Sequence, residues 1–115
     1  MRRILSFAII VVLLGTAIFL TKTAKADEYA QGKKLYSEKC QVCHGVKGDG
    51  NGPAASALSP KPADFTSPTF WQGNVDKKIT DTIENGHGMM PSFDLKSAEI
   101  KDIIDYLAHT FKPKS

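Results

Sequence analysis

The clearest hydrophobic pattern lies near the C-terminus of the chain. Apolar residues recur there at intervals of three and four: Ile100, Ile103, Ile104, Leu107 and Phe111. The positions between them include the charged residues Lys101, Asp102 and Asp105. This period is that of an amphipathic helix with one buried face. Ser97 precedes the pattern, and we expect it to cap the N-terminus of the helix.

Two further stretches show the same helical period. Val75, Ile79 and Ile83 predict a second helix from Asp76 to Asn85, which Gly86 ends. No stretch alternates between apolar and polar residues in the manner of a β-strand.

A first helix is predicted from Asp27, as its N-cap, to about Lys39. Tyr29, Leu35 and Tyr36 give it an apolar side. Gly32 inside it costs about 1 kcal/mol relative to alanine. Two explanations stand at this point: a close approach by another helix, or a tolerated surface glycine.

The N-terminal segment has the pattern of a secretory signal. Arg2 and Arg3 precede an apolar run from Ile4 to Leu20, and Ala24-Lys25-Ala26 forms an A-x-A-type cleavage site. The predicted organisation is a signal peptide over residues 1–26 and one domain over residues 27–115. The alternative is an uncleaved anchor, because the apolar run is at the lower limit for spanning a bilayer. Either way, we expect the domain to lie outside the cytoplasm.

The charge of the chain changes once the leader is set aside. The whole chain of 115 residues has a formal net charge of +3. Residues 27–115 contain 11 lysines, no arginine and 12 acidic residues, a formal net charge of −1. A basic surface that would bind nucleic acid is therefore not expected. A domain this short also has difficulty burying enough apolar surface by itself.

The main chemical motif is Cys40-Gln41-Val42-Cys43-His44, a C-x-x-C-H sequence. This spacing is the attachment signature of a c-type haem. Two thiols separated by two residues can add to the two vinyl groups on one edge of a porphyrin, and the adjacent imidazole becomes the proximal iron ligand. A zinc site, a thioredoxin-like redox pair and a plain disulfide are the alternatives. The whole chain has only two cysteines and three histidines, few for a four-ligand zinc site.

The loops around this motif are rich in glycine and in aromatic residues. The glycines of Gly48–Pro53 lack the ligand order of a calcium loop, and we interpret them as a tight passage beneath the haem edge. Phe65, Phe70 and Trp71 follow in a second loop. They are expected to pack either on the porphyrin or in an ordinary core.

Taken together, these motifs resemble the class I c-type cytochromes, in particular small periplasmic members with a single haem. The shared elements are Gly32 and Tyr36, Cys40 to Gly45, Gly48 to Pro53, Pro62 to Phe65, and Met90 to Phe93. The resemblance implies an all-α fold of three to four helices and loops wrapped around one covalently attached haem c. It also implies that the first and last helices cross, with Gly32 and Tyr36 meeting Tyr106 and Leu107.

The resemblance implies iron ligands and pocket residues as well. His44 would be the proximal ligand and Met90 the distal one, with Met89 the alternative that is better explained as packing. The carbonyl of Pro53 would accept the ring N–H of His44. Trp71 would lie near the haem propionates.

Two further histidines, His87 and His109, lie outside the C-x-x-C-H motif. His87 lies three residues before Met90 and could reach the same face of the iron, which would give bis-histidine ligation. His109 is expected on the surface, at the polar edge of the last helix.

The function expected from these features is electron transfer in the periplasm. With His44 and Met90 occupying both axial positions, the iron has no open position for a substrate, so we do not expect an enzyme. Redox proteins that dock briefly are the expected partners, the protein is expected to be a monomer, and membrane contact is expected only if the leader is uncleaved. The alternatives are a haem-based gas sensor and the electron-entry subunit of a larger oxidoreductase complex.

Overall fold

The computed structural model describes residues 28–115. The predicted signal peptide over residues 1–26 and the predicted N-cap at Asp27 lie outside this part. Residues 28–115 contain four α-helices: α1 (Ala30–Lys39), α2 (Gln41–His44), α3 (Val75–Asn85) and α4 (Ser97–Thr110). Two short 3₁₀ turns lie between α2 and α3, at Ala55–Ala57 and Pro68–Trp71.

The predicted all-α fold is confirmed for the described residues. Within residues 28–115 the only β-type pairing is one isolated bridge, between His87 and Met90. No helix in this part of the chain is both long enough and apolar enough to cross a membrane.

The helix starts differ from the predicted ones, and in α3 and α4 a local hydrogen bond selects the cap. The cap position of α1 is Tyr29, without a side-chain capping bond. α3 begins one residue early because the side chain of Asn74 accepts from the N–H of Lys77 at 3.2 Å. Ser97 is the first residue of α4 and not its cap, which corrects the prediction. The cap position is Lys96, whose N–H donates to the carboxylate of Glu99 at 2.8 Å.

Helices α1 and α4 cross at Gly32. A Cβ added at Gly32 would lie 2.0 Å from the carbonyl oxygen of Asp102 and 2.7 Å from the Cβ of Tyr106. This glycine therefore serves a close helix approach, which decides between the two explanations above. The expected meeting of Tyr36 with α4 is also present, since the rings of Tyr36 and Tyr106 lie 5.5 Å apart.

One apolar core joins α1, α3 and α4. The predicted apolar faces of α3 and α4 are buried in it, and Leu107 is 2% exposed. One loop residue, Phe65, enters the same core. The other buried members are Leu35, Tyr36, Val75, Ile79, Ile83, Ile100, Ile103, Ile104 and Phe111.

Candidate haem site

The C-x-x-C-H motif is placed on a single turn of helix. Cys40 is the residue between α1 and α2, and α2 carries Cys43 and His44. Both cysteines are free thiols and both are half-buried. Burial raises the pKa of the Cys40 thiol to about 11, so this group is protonated near neutral pH. The two sulfur atoms are therefore unpaired and placed on one short segment beside an imidazole.

The glycine-rich loop that follows is packed against the backbone of α2. The N–H of Gly50 donates to the carbonyl of His44 at 2.9 Å, and the N–H of Gly52 donates to that of Cys43 at 3.0 Å. A Cβ at Gly52 would lie 2.4 Å from the carbonyl oxygen of Val42, and one at Gly48 would lie 2.7 Å from the ring of Phe111. These glycines are therefore required by contacts of the chain with itself. The passage of this loop beneath the haem edge stays a prediction.

His44 is oriented by a hydrogen bond to a different residue from the one expected. Its Nδ1 lies 3.1 Å from the carbonyl oxygen of Ala63, not of Pro53, so the assignment of Pro53 as this partner is wrong. The reason lies in the path of the loop. The N–H of Ala54 donates to the carbonyl of Val42 at 2.9 Å, which holds the segment containing Pro53 against the backbone of α2.

Ala63 reaches His44 because Gly50 has no side chain. A Cβ at Gly50 would lie 2.5 Å from the carbonyl oxygen of Pro62, the residue before Ala63. A carbonyl oxygen can only accept, so Nδ1 of His44 is the donor and Nε2 is left available for a metal. His44 is 8% exposed. Burial lowers the pKa of its imidazole, and the bond to Ala63 partly opposes that effect.

The aromatic loop residues form a wall beside His44. The ring of Phe65 stacks on the imidazole at 4.6 Å, and Phe70 packs edge-on against Phe65 at 5.0 Å. The indole N–H of Trp71 donates to the carbonyl of Phe65 at 2.7 Å. The loop aromatics therefore pack against the protein itself. The placement of Trp71 near haem propionates stays a prediction, and here its N–H is bonded to the backbone.

The two methionines lie in a tight turn between α3 and α4. His87 and Met90 are joined by two backbone hydrogen bonds, of 3.0 and 2.9 Å, so Met89 lies at the tip of the turn. Met90 packs against the core, whereas Met89 is 58% exposed. The interpretation of Met89 as a packing residue is therefore wrong, because a residue at the tip of this turn has no core to fill.

The two other histidines lie on the surface. His87 is exposed. His109 is exposed as expected, and its ring stacks on Tyr29 at 4.1 Å.

The residues present fit a covalently bound haem. Two free thiols on one turn match the attachment chemistry, and the neighbouring buried imidazole has one nitrogen fixed as a donor and the other available. Within residues 28–115, no group of three or more histidine, cysteine, aspartate or glutamate side chains is placed to hold a metal ion. The site thus matches a porphyrin with a C-x-x-C-H attachment better than a zinc centre.

An all-α fold with these thiols and this imidazole defines a c-type haem protein. The family model described as cytochrome c matches residues 29–111, and the chain belongs to the cytochrome c family. Comparisons with curated proteins and with solved structures gave no match. Membership of the family establishes one covalent haem c as the cofactor and haem-based electron transfer as the general activity.

Proposed function

We propose that this cytochrome carries single electrons between redox proteins in the periplasm, with His44 and Met90 as the axial ligands of its haem iron. The bound haem supplies a centre that takes up and releases one electron. The observation that carries the proposal is the orientation of His44. Its Nδ1–H is held by Ala63 at 3.1 Å, which fixes the tautomer whose Nε2 binds iron.

The choice of Met90 rests on how the turn divides the two methionines. Met90 packs against the core and precedes Pro91, whose ring restricts Met90 to extended backbone. Met89 is exposed at the tip of the turn. A side chain with restricted backbone and core contacts is the better one to hold a sulfur atom at a fixed angle.

Ligation by His44 and Met90 favours a carrier over an enzyme or a sensor. With two protein ligands on the iron, no position is open for a substrate or a gas. A neutral thioether favours the reduced iron, so this ligation raises the reduction potential relative to bis-histidine ligation. Burial of the site acts in the same direction, since it disfavours the more highly charged oxidised centre.

Exposed apolar residues support transient docking of a redox partner. The exposed large apolar side chains of residues 28–115 are Val42, Val46 and Met89. All three belong to the two segments that carry the proposed iron ligands. Exposed apolar side chains beside the proposed ligands suit the small interfaces of weak and brief complexes. The periplasmic location rests on the signal-like leader, with membrane anchoring as its alternative.

A pair of methionine variants tests the proposal. In Met90→Ala we expect loss of the weak absorption band that marks methionine bound to ferric iron. We also expect rapid binding of carbon monoxide to the reduced protein, and a lower reduction potential. Met89→Ala is the matched control, and its spectrum and potential should stay close to wild type. Because Met89 is exposed, this change should alter stability by no more than about 0.5 kcal/mol.

Two outcomes would contradict the proposal. Loss of the band in Met89→Ala, with retention in Met90→Ala, would show that Met89 and not Met90 is the iron ligand. Tight binding of carbon monoxide by wild type would show an open iron position, and the sensor function would then be favoured.

A further inference from the structure

We propose that Tyr36 is a positioning residue for the proximal haem ligand, acting through its hydroxyl group. The hydroxyl donates a 2.7 Å hydrogen bond to the carbonyl oxygen of Gly45, the residue directly after His44. Gly45 is buried and ends α2 with a positive φ of 86°. The side chain of Tyr36 is itself 1% exposed. A buried hydroxyl on α1 is thus bonded to the backbone that leaves the haem-attachment turn.

The position of this bond matters because α2 is too short to be stable by itself. It has four residues, and the last carbonyl groups of a helix need partners from outside it. Backbone N–H groups of the glycine-rich loop supply partners for Val42, Cys43 and His44. The carbonyl of Gly45 accepts from the N–H of Gly48 at 3.1 Å and from Tyr36. Tyr36 therefore supplies a side-chain donor to a segment that is otherwise held by backbone bonds.

Tyr36 also reaches His44 by a second route. Its ring packs edge-on against Phe65 at 6.4 Å, and the ring of Phe65 stacks on the imidazole of His44 at 4.6 Å. On its other side the Tyr36 ring contacts Tyr106 and Phe111. One side chain thus links the α1–α4 crossing to both the backbone and the imidazole face of the proximal ligand.

The positioning role of Tyr36 belongs to its hydroxyl group and not to its ring. A phenylalanine would keep the ring contacts with Phe65 and Tyr106, so helix packing alone does not require the oxygen atom. Burial raises the pKa of Tyr36 far above its usual value, which keeps the hydroxyl protonated and able to donate. Without it, the Gly45 carbonyl would depend on the longer bond from Gly48, and the backbone after His44 would be held less firmly.

The test compares Tyr36→Phe with Tyr106→Phe in the full-length, haem-loaded, reduced protein. The second variant removes a hydroxyl from the same aromatic cluster and leaves the bond to Gly45 intact. Hydrogen exchange is measured by NMR at the Nδ1–H of His44 and at the amides of Gly48 and Gly50, with the amides of α4 as reference. Reduction potentials are measured on the same samples.

For Tyr36→Phe we expect exchange at these three groups to rise by about two- to tenfold, the range that loss of one hydrogen bond allows. The amides of α4 should keep their rates, and the reduction potential should move. Tyr106→Phe should change neither quantity. An equal rise in hydrogen-exchange rates throughout the domain of Tyr36→Phe would show that Tyr36 has only a packing role, and would overturn the proposal. Unchanged exchange in Tyr36→Phe would also overturn it.

A measurement on wild type covers the case in which Tyr36→Phe does not accumulate with haem. The Tyr36 hydroxyl proton should exchange slowly enough to give its own resonance, with a nuclear Overhauser effect to Gly45. Exchange as fast as that of an exposed phenol would refute the bond. The inference rests on haem attachment at Cys40 and Cys43 and not on the sixth ligand. The absorption band of iron-bound methionine is recorded on the same samples. It reports on Met90 as ligand independently of the exchange rates, which report on the role of Tyr36.

Discussion

Replacing Gly32 by alanine sets two physical effects of opposite sign against each other. Gly32 lies inside α1, where alanine is favoured over glycine by about 1 kcal/mol. Helix propensity alone therefore predicts a more stable protein. The added methyl group would, however, lie 2.0 Å from the carbonyl oxygen of Asp102. Contacts below 3.0 Å are essentially never adopted by a Cβ, so the helices must separate by about 1 Å at the crossing.

The steric effect should be the larger one. The closest atoms belong to the backbone of Asp102 and to the Cβ of Tyr106, and neither can rotate away. Overpacking typically costs about 1–3 kcal/mol, and a clash with backbone on a rigid helix falls at the upper end or beyond. After the gain in propensity, Gly32→Ala should lose about 2 kcal/mol of stability. For a domain of this size that corresponds to a fall in melting temperature of about 8–16 °C.

The assay is thermal unfolding of the haem-loaded protein, followed by far-ultraviolet circular dichroism. Gln31→Ala is the matched control, because Gln31 is the exposed neighbour on the same helix and its replacement should change stability by no more than about 0.5 kcal/mol. A melting temperature for Gly32→Ala equal to or above that of wild type would refute the close crossing. It would also weaken the placement of Tyr36, which lies one helical turn further along α1.

Three other predictions concern attachment, export and docking. Replacing Cys40 and Cys43 together by alanine should yield protein that loses its haem in acid–organic extraction, whereas release of free haem from wild type would contradict covalent attachment. Mass spectrometry of the exported protein should find a mature N-terminus at Asp27, and an intact leader in a membrane fraction would establish the anchor instead. Val46→Lys should slow electron self-exchange in a mixture of oxidised and reduced protein. Gln31→Lys, which makes the same charge change on α1, should leave the self-exchange rate unchanged. Equal self-exchange rates in the two variants would argue against docking at Val46.

The helices could be predicted because burial imposes a period on the sequence. The apolar stripe of α4 is spaced by three and four residues because one side of that helix faces α1 and the core, and the same reasoning found α3. The helix starts were less predictable, since neighbouring residues compete for the cap. Ser97 has good capping chemistry, but the carboxylate of Glu99 bonds to the N–H of Lys96 and places the cap one residue earlier.

The haem site divides into residues that act through side chains and residues that act through backbone atoms. The thiols of Cys40 and Cys43 and the imidazole of His44 are chemically specific, so their spacing alone predicts a haem-attachment motif. Ala63 and Gly45 were missed because they contribute carbonyl oxygens, which every residue has. No sequence signal distinguishes the carbonyl of Ala63 from that of Pro53, and only the path of the loop decides between them.

Met89 and Met90 are distinguished by one feature of the sequence and by another feature of the structure. From sequence, the distinction rests on Pro91, which restricts the residue before it to extended backbone. In the structure, the paired hydrogen bonds between His87 and Met90 make a turn whose tip holds Gly88, with a φ of +57°, and Met89. A residue at the tip projects into solvent, while Met90, at the base, packs on the core. These two independent constraints both support the proposal of Met90 as the distal ligand. The residue type does not distinguish the two positions, because both are methionine.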